Sequence, residues 1–262
     1  MGLTWQTLFG SRRGAADAAR RKAAVPDGVV LYAIGDVHGQ SLLLETLISQ
    51  IQSDAEAHPG DKRILVFVGD YVDRGPSSRQ VVERVSQGVP AFETIALKGN
   101  HEQILLDFIA DAQMWDVYRR LGGVETLMSY GLDYQLLAGL NAASPAIHEA
   151  FVAAFPQAHH DFLRSLHLSY DCGDYHFVHA GVRPGVALDR QTQDDQLWIR
   201  DQFLNAGDVF DGRVIVHGHT PTREPEKLSF RINVDTGAYM TGRLTAAKFH
   251  GADVQFLHAL HA

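Results

Sequence analysis

The sequence predicts an α/β fold whose first half is built from parallel βαβ units. Three observations carry that expectation. From residue 29 onward, short apolar runs alternate with stretches whose apolar residues recur at helical spacing. The first two apolar runs are followed directly by a glycine and the third by Lys98 and then a glycine, each leading into charged or polar groups, in "GDVHG", "GDYVDRG" and "GNHE". The chain has 262 residues, 45% of them hydrophobic and 21% charged, enough to bury a sizeable core.

"VVLYAI" ends at Gly35 and reads as a buried strand, and "QSLLLETLISQIQ" carries the spacing of a helix. "RILVFV" is the next strand, "SSRQVVERVSQ" the next helix, and "FETIAL" the third strand. A third helix runs from Glu102 to about Ala110. Strand–helix–strand order implies parallel pairing with right-handed crossovers. Residues 112–166 read as mostly helical, broken at Gly122, Gly123, Gly131 and Gly139. The pattern then changes. "LHLSYDCGDYHFVH" reads as a hairpin turning at Asp171–Asp174, and "RVIVH", "LSFRINVD", "LTAAKFH" and "VQFLHAL" read as strands, the last ones antiparallel. Residues 1–26, with Arg12, Arg13, Arg20, Arg21 and Lys22 against Asp17, read as a mobile basic tail ahead of one domain over 27–262. There is no internal repeat.

Composition narrows the function classes. A formal net charge of −8 argues against a general nucleic-acid binder, which needs a basic surface to displace counterions. One cysteine, Cys172, excludes an internal disulfide and suits a reducing compartment, so a cytoplasmic location is expected. No run approaches 18 apolar residues, the first residues lack a signal-type apolar core, and Gln6 breaks the myristoylation pattern. Neither a membrane nor a nucleic acid is an expected partner. Oligomeric state is left open.

The carboxyl ends of neighbouring parallel strands open onto one crevice. Three strand ends therefore deliver Asp36 and His38, then Asp70, Asp73 and Arg74, then Asn100 and His101 to one place. The second half adds His179 in "VHAG" and His217 and His219 in "VHGHT", again directly after apolar runs. Each motif alone reads as a turn or a helix cap. Together, at the same end of successive strands, they are far more specific. Crowded carboxylates call for a neutralising cation, and oxygen and nitrogen donors without thiolate suit manganese, iron or zinc. The donor count is large enough for two metals sharing a carboxylate, an arrangement that clamps a phosphoryl group.

"GDVHG", "GDYVDRG", "GNHE", "HAG" and "GHT", with "LWIR", "INVDTGA" and the "LGG…T…SYG" spacing from Leu121 to Gly131, resemble the signature set of the phosphoprotein phosphatase family of metallophosphoesterases. The likeness runs from about residue 30 to 250 and is greatest to the compact bacterial and bacteriophage lambda type. It implies a calcineurin-like sandwich of two mixed sheets flanked by helices, and two divalent transition metals, manganese first, with iron or zinc as alternatives. By the same resemblance Asp36, His38 and Asp70 hold one metal, and Asp70, Asn100, His179 and His219 the other. His219 fills that slot because the motif places its ligand just before Thr220, so His217 is a packed or supporting histidine. Arg74 and Arg200 grip the phosphate, with Asn100 beside it. His101 is the general acid, Asp73 orients it, and a metal-bridging hydroxide is the nucleophile.

The expected function is a protein serine/threonine phosphatase, with the choice between Ser/Thr and Tyr left open, and with a phosphorylated protein or peptide as partner. A dinucleoside polyphosphate hydrolase is the alternative. Members of that type share "RGP" but typically carry Ala where Asp73 stands and Asp where Glu102 stands, which favours the phosphatase. A nuclease fits less well, because Pro221 replaces the final histidine of its Gly-His-x-His motif. A metal-filled scaffold that binds phosphorylated partners is the remote alternative, since no ligand is missing. His58, His148, His159, His160, His250, His258 and His261 read as structural or solvated, Trp115 and Trp198 as core, and Cys172 as a bystander.

Overall fold

A computed structural model describes residues 22–133, 145–207, 210 and 212–261. Most of the expected tail, residues 1–21, and the expected break at Gly139 lie outside the described residues. In chain order the strands are β1 (Val29–Ile34), β2 (Lys62–Phe67), β3 (Glu93–Ala96), β4 (Ser169–Cys172), β5 (Tyr175–Val178), β6 (Val214–His217), β7 (Glu226–Lys227), β8 (Arg231–Asn233), β9 (Arg243–His250) and β10 (Asp253–Leu260). They form two mixed five-stranded sheets, ordered β10-β9-β1-β2-β3 and β4-β5-β6-β8-β7.

β1 explains why its run is continuously apolar rather than alternating. It lies centrally, parallel to β2 and antiparallel to β9, with all six residues buried. Val30, Tyr32 and Ile34 pack with Leu43, Leu44, Leu47, Ile48 and Ile51 of α1 (Ser41–Ala55). Leu31 and Ala33 face the other way. They meet Phe177, Val216 and Ile232 of the second sheet in the core between the sheets. That period-2 division makes the sandwich: helices cover one face of β1 and the second sheet covers the other. A smaller cluster around Phe203, Ile215 and Phe230 closes the far side of the second sheet.

Two expected elements end up differently. The "LSFRINVD" run breaks, because Leu228 N donates to Arg231 O at 2.8 Å and folds the chain back between β7 and β8. After α2 (Ser78–Ser86), the third helix, α3 (Asn100–Ala110), starts two residues before Glu102, with Gly99 at the cap position. Glu102 reaches back to accept the Gly99 amide at 2.9 Å. The middle is helical as expected, with α4 (Trp115–Arg120) and α5 (Gly123–Ser129) hinged at Gly122. Gly122 has φ +97°, and a Cβ there would lie 2.8 Å from Arg74 N, so only glycine lets this hinge accept the Arg74 amide at 3.0 Å. The end of the expected tail is held down: Val25 is buried, its amide donates to Gly251 O at 3.0 Å, and Ala24 N donates to Asp174 at 3.0 Å. Among the described residues no helix is long and apolar enough to cross a membrane.

Candidate metal centre

The carboxyl ends of β1, β2 and β3 meet those of β5 and β6, and the side chains that follow them share one buried cluster. The backbone there is unusual. Six non-glycine residues among those described have positive φ, and five of them, His38, Asp70, Asp73, Arg74 and His219, were expected at the site. Left-handed backbone at such residues persists only where surrounding structure imposes it, and it marks functional sites.

Two groups of donor atoms form at this site, each within 4.8 Å: His38, Asp70 and His101, and Asp70, His179 and His219. Asp70 belongs to both. The ring orientations follow from the backbone. His38 Nδ1 lies 2.8 Å from Val72 O and His179 Nδ1 lies 2.9 Å from Val68 O. A carbonyl only accepts, so each Nδ1 carries the proton and each Nε2 turns a lone pair to the centre. These lie 3.5 Å and 3.4 Å from the Asp70 carboxylate. Burial keeps the rings neutral, driving His38 to about 3, His219 to about 2 and His179 below its ordinary value.

That donor set fits a divalent cation. His179 Nε2, an acceptor, faces Asn100 Oδ1, another acceptor, at 2.9 Å. His219 Nδ1 lies 2.9 Å from the same oxygen, and its buried Nε2 has no hydrogen-bond partner among the described residues. Asp36 joins neither three-residue group. Its carboxylate accepts the His219 amide at 3.0 Å and is seated on Gly218, where a Cβ would collide with it. Burial, then the charges of Asp235 and Asp70, push the Asp36 carboxyl well above its ordinary value, and burial pushes Asp235 to about 6. Such crowding is relieved by positive charge.

The second arrangement is a proton-handling pair beside an arginine. His101 Nδ1 lies 2.7 Å from Asp73 Oδ2, and Asp73 Oδ1 accepts from Tyr118 Oη at 2.9 Å and Thr126 Oγ1 at 2.7 Å. Burial alone would lower His101, but the Asp70 charge and the bond to Asp73 outweigh it and hold its pKa above the ordinary value. Arg74 Nη1 donates to His38 Nε2 at 2.8 Å, and Nη2 lies 2.9 Å from His101 Nε2. Arg200 is exposed at the rim, its Nη1 donating to Thr220 Oγ1 at 3.1 Å. His217 is packed, as expected: Phe203 stands edge-on at 4.9 Å and burial lowers it to about 3.

Several site residues escaped the sequence reading. Glu102 lies within the quoted "GNHE", yet reads only as a first-turn acid. In the structure it is buried and accepts four amides, those of Gly99, Asp70, Tyr71 and Val72, at 2.8–3.3 Å, fixing the Asp70 loop. Tyr118 gives no sequence signal, and Thr126 only the "LGG…T" spacing. Tyr239 follows "INVDTGA" and places its ring 4.8 Å from the Arg74 guanidinium. Glu102→Ala would leave those buried donors unpaired, at about 1–3 kcal/mol each. We expect a fall of at least about 3 kcal/mol in urea unfolding of the metal-free protein, with Glu102→Gln milder. Equal stability of Glu102→Ala and wild type would contradict the anchoring role.

One expectation changes, and one pairing was not foreseen. Trp198, expected in the core, is 40% exposed and stands edge-on to His219 at 6.1 Å, while its neighbours Leu197 and Ile199 take the inward positions. His58 and His250, read as structural or solvated, meet at 4.4 Å between ring centres, with Asp61 3.1 Å from His250.

Comparison with known proteins bears on this geometry. The family model for calcineurin-like phosphoesterases matches residues 29–256. A protein of Anoxybacillus flavithermus named bis(5'-nucleosyl)-tetraphosphatase PrpE (asymmetrical) is 28% identical over 242 residues, covering 82% of this chain and 89% of that protein. The protein of the same name from Halalkalibacterium halodurans is 30% identical over 237 residues, covering 82% and 88%. A crystal structure provisionally named a diadenosine tetraphosphatase superposes with a TM-score of 0.61 at 20% identity, covering 92% of this chain and all of that one. This last likeness shows the fold.

Proposed function

The chain belongs to the calcineurin-like phosphoesterase family, and from that premise we propose that it hydrolyses dinucleoside tetraphosphates into a nucleoside triphosphate and a nucleoside monophosphate. The observation that carries the substrate class is the identity to tetraphosphatases across 82% of the chain. It outweighs the expectation of a phosphoprotein substrate, which rested on Asp73 and Glu102. Both residues support the frame: Asp73 holds His101, and Glu102 holds the Asp70 loop. Neither reads the organic part of a substrate.

On this reading His38 and Asp70, with Asp36 adjoining, hold one divalent cation, and Asp70, Asn100, His179 and His219 hold a second. Manganese, iron and zinc all suit these donors. Bound cations supply Lewis acidity and charge neutralisation at the phosphoryl oxygens. Arg74 offers a guanidinium fork to two of those oxygens, and Arg200 at the rim meets the outer phosphates. His101 carries the proton to the departing oxygen, steered by Asp73. The single cysteine suits a reducing compartment, and we place the reaction in the cytoplasm.

The test is product separation after turnover of diadenosine tetraphosphate by metal-supplemented protein. Equal amounts of ATP and AMP are expected. ADP as the sole product would show symmetric cleavage and overturn the unequal cut.

A further inference from the structure

We propose that Trp198 is the platform on which a nucleobase of the substrate stacks, a reading that rests on the tetraphosphatase function above. An indole is costly to leave in water, and its position here is imposed by its surroundings. Leu197 is 1% exposed and Ile199 8%, both turned into the protein, so Trp198 projects outward between them. It stands perpendicular to the ring of His219, one of the two imidazoles facing Asn100, and two-fifths of its surface stays open.

The stretch just before it is held in place. Ala180 N donates to Gln196 O at 2.8 Å. Asp195 accepts from Arg183 Nε at 2.9 Å and from Thr192 Oγ1 at 2.8 Å. Those bonds place the backbone that leads into the ring before any substrate arrives. Two residues on, Arg200 ends the same segment with its guanidinium at Thr220, next to His219 in the chain. One short stretch thus sets an apolar face and a cation beside the metal centre. That pairing matches a nucleotide, which joins a flat aromatic base to a phosphate chain. The other ring at the site, Tyr239, is engaged by Arg74 and His38. Stacking on an indole is tolerant of base identity, because every base has a π-face.

The experiment compares wild type, Trp198→Ala and Trp198→Phe on diadenosine tetraphosphate and on 4-nitrophenyl phosphate, all with saturating Mn²⁺. Trp198→Ala should lower kcat/KM for the dinucleotide roughly ten- to a hundred-fold, mainly through KM. It should slow 4-nitrophenyl phosphate distinctly less and without the rise in KM, since that small ester carries no nucleoside, and Trp198→Phe should keep most of the wild-type value for the dinucleotide. In parallel, AMP should quench tryptophan fluorescence of wild type but not of Trp198→Phe. An unchanged KM for the dinucleotide in Trp198→Ala overturns the platform while leaving the substrate reading intact. Wild type without turnover of the dinucleotide sinks the substrate reading. The platform then falls as well if AMP quenches Trp198→Phe as strongly as wild type.

Discussion

Asp70→Asn is expected to lower turnover by about 10³-fold or more and to weaken binding of both cations together. The substitution keeps the size of the side chain and the oxygen that accepts the His101 amide at 3.1 Å. It removes the one negative charge common to the two donor groups. Neutral imidazoles supply most of the remaining donors, so the loss of a shared carboxylate is felt twice. The fold should survive, because the Asp70 loop is tied by Glu102 through the Asp70, Tyr71 and Val72 amides rather than by the Asp70 carboxylate. Metal content by elemental analysis, alongside circular dichroism, checks this. A folded variant that keeps two tightly bound ions would show that Asp70 bridges nothing.

His101→Asn is expected to separate substrates by the basicity of the group that leaves. Phenolate is strongly basic, with a conjugate acid near pKa 10, and needs a proton as the ester bond breaks. The 4-nitrophenolate ion is stable without one. General-acid help is typically worth ~10²–10⁴ in rate, so phenyl phosphate should slow by roughly that factor and 4-nitrophenyl phosphate distinctly less. Metal content should stay close to wild type, because both His101 nitrogens are engaged elsewhere, Nδ1 by Asp73 and Nε2 by Arg74, while Asn100 is the residue that faces His179 and His219. Asp73→Asn should show the same split more mildly, through loss of the 2.7 Å bond that aims the ring. Equal slowing of both aryl esters would move His101 from proton donor to phosphate binder.

Much of this site was legible before any coordinates, for a physical reason. Parallel strands ending in glycine turns put short, charged loops at one edge of a sheet, and periodicity with punctuation reports both. Asp36, His38, Asp70, Asp73, Arg74, Asn100, His101, His179, His217 and His219 were gathered that way, and the family resemblance, not the period, implied which of them are ligands. The groups that hold the loops in shape were not, since their partners are remote in sequence. Tyr118 and Thr126 reach Asp73 from 45 and 53 residues away, and Glu102 binds amides some 30 residues upstream. Such contacts leave no local period. Trp198 misled for a different reason: an aromatic between two aliphatic residues looks buried, and only the extended backbone at Ile199 decides which side each one takes. The pairing of His58 with His250 likewise depends on the meeting of two distant turns, which neither stretch announces.

The central claim is that this metal centre serves a dinucleoside tetraphosphate. The most direct measurement is kcat/KM of the Mn²⁺-loaded protein for diadenosine tetraphosphate against phosphoserine, phosphothreonine and phosphotyrosine peptides under one set of conditions. We predict a preference for the dinucleotide of at least about a hundred-fold, the discrimination expected when a site has groups for parts of the substrate that its competitor lacks. A phosphopeptide hydrolysed as well as the dinucleotide, or better, would contradict the claim and return the protein to the phosphoprotein phosphatases.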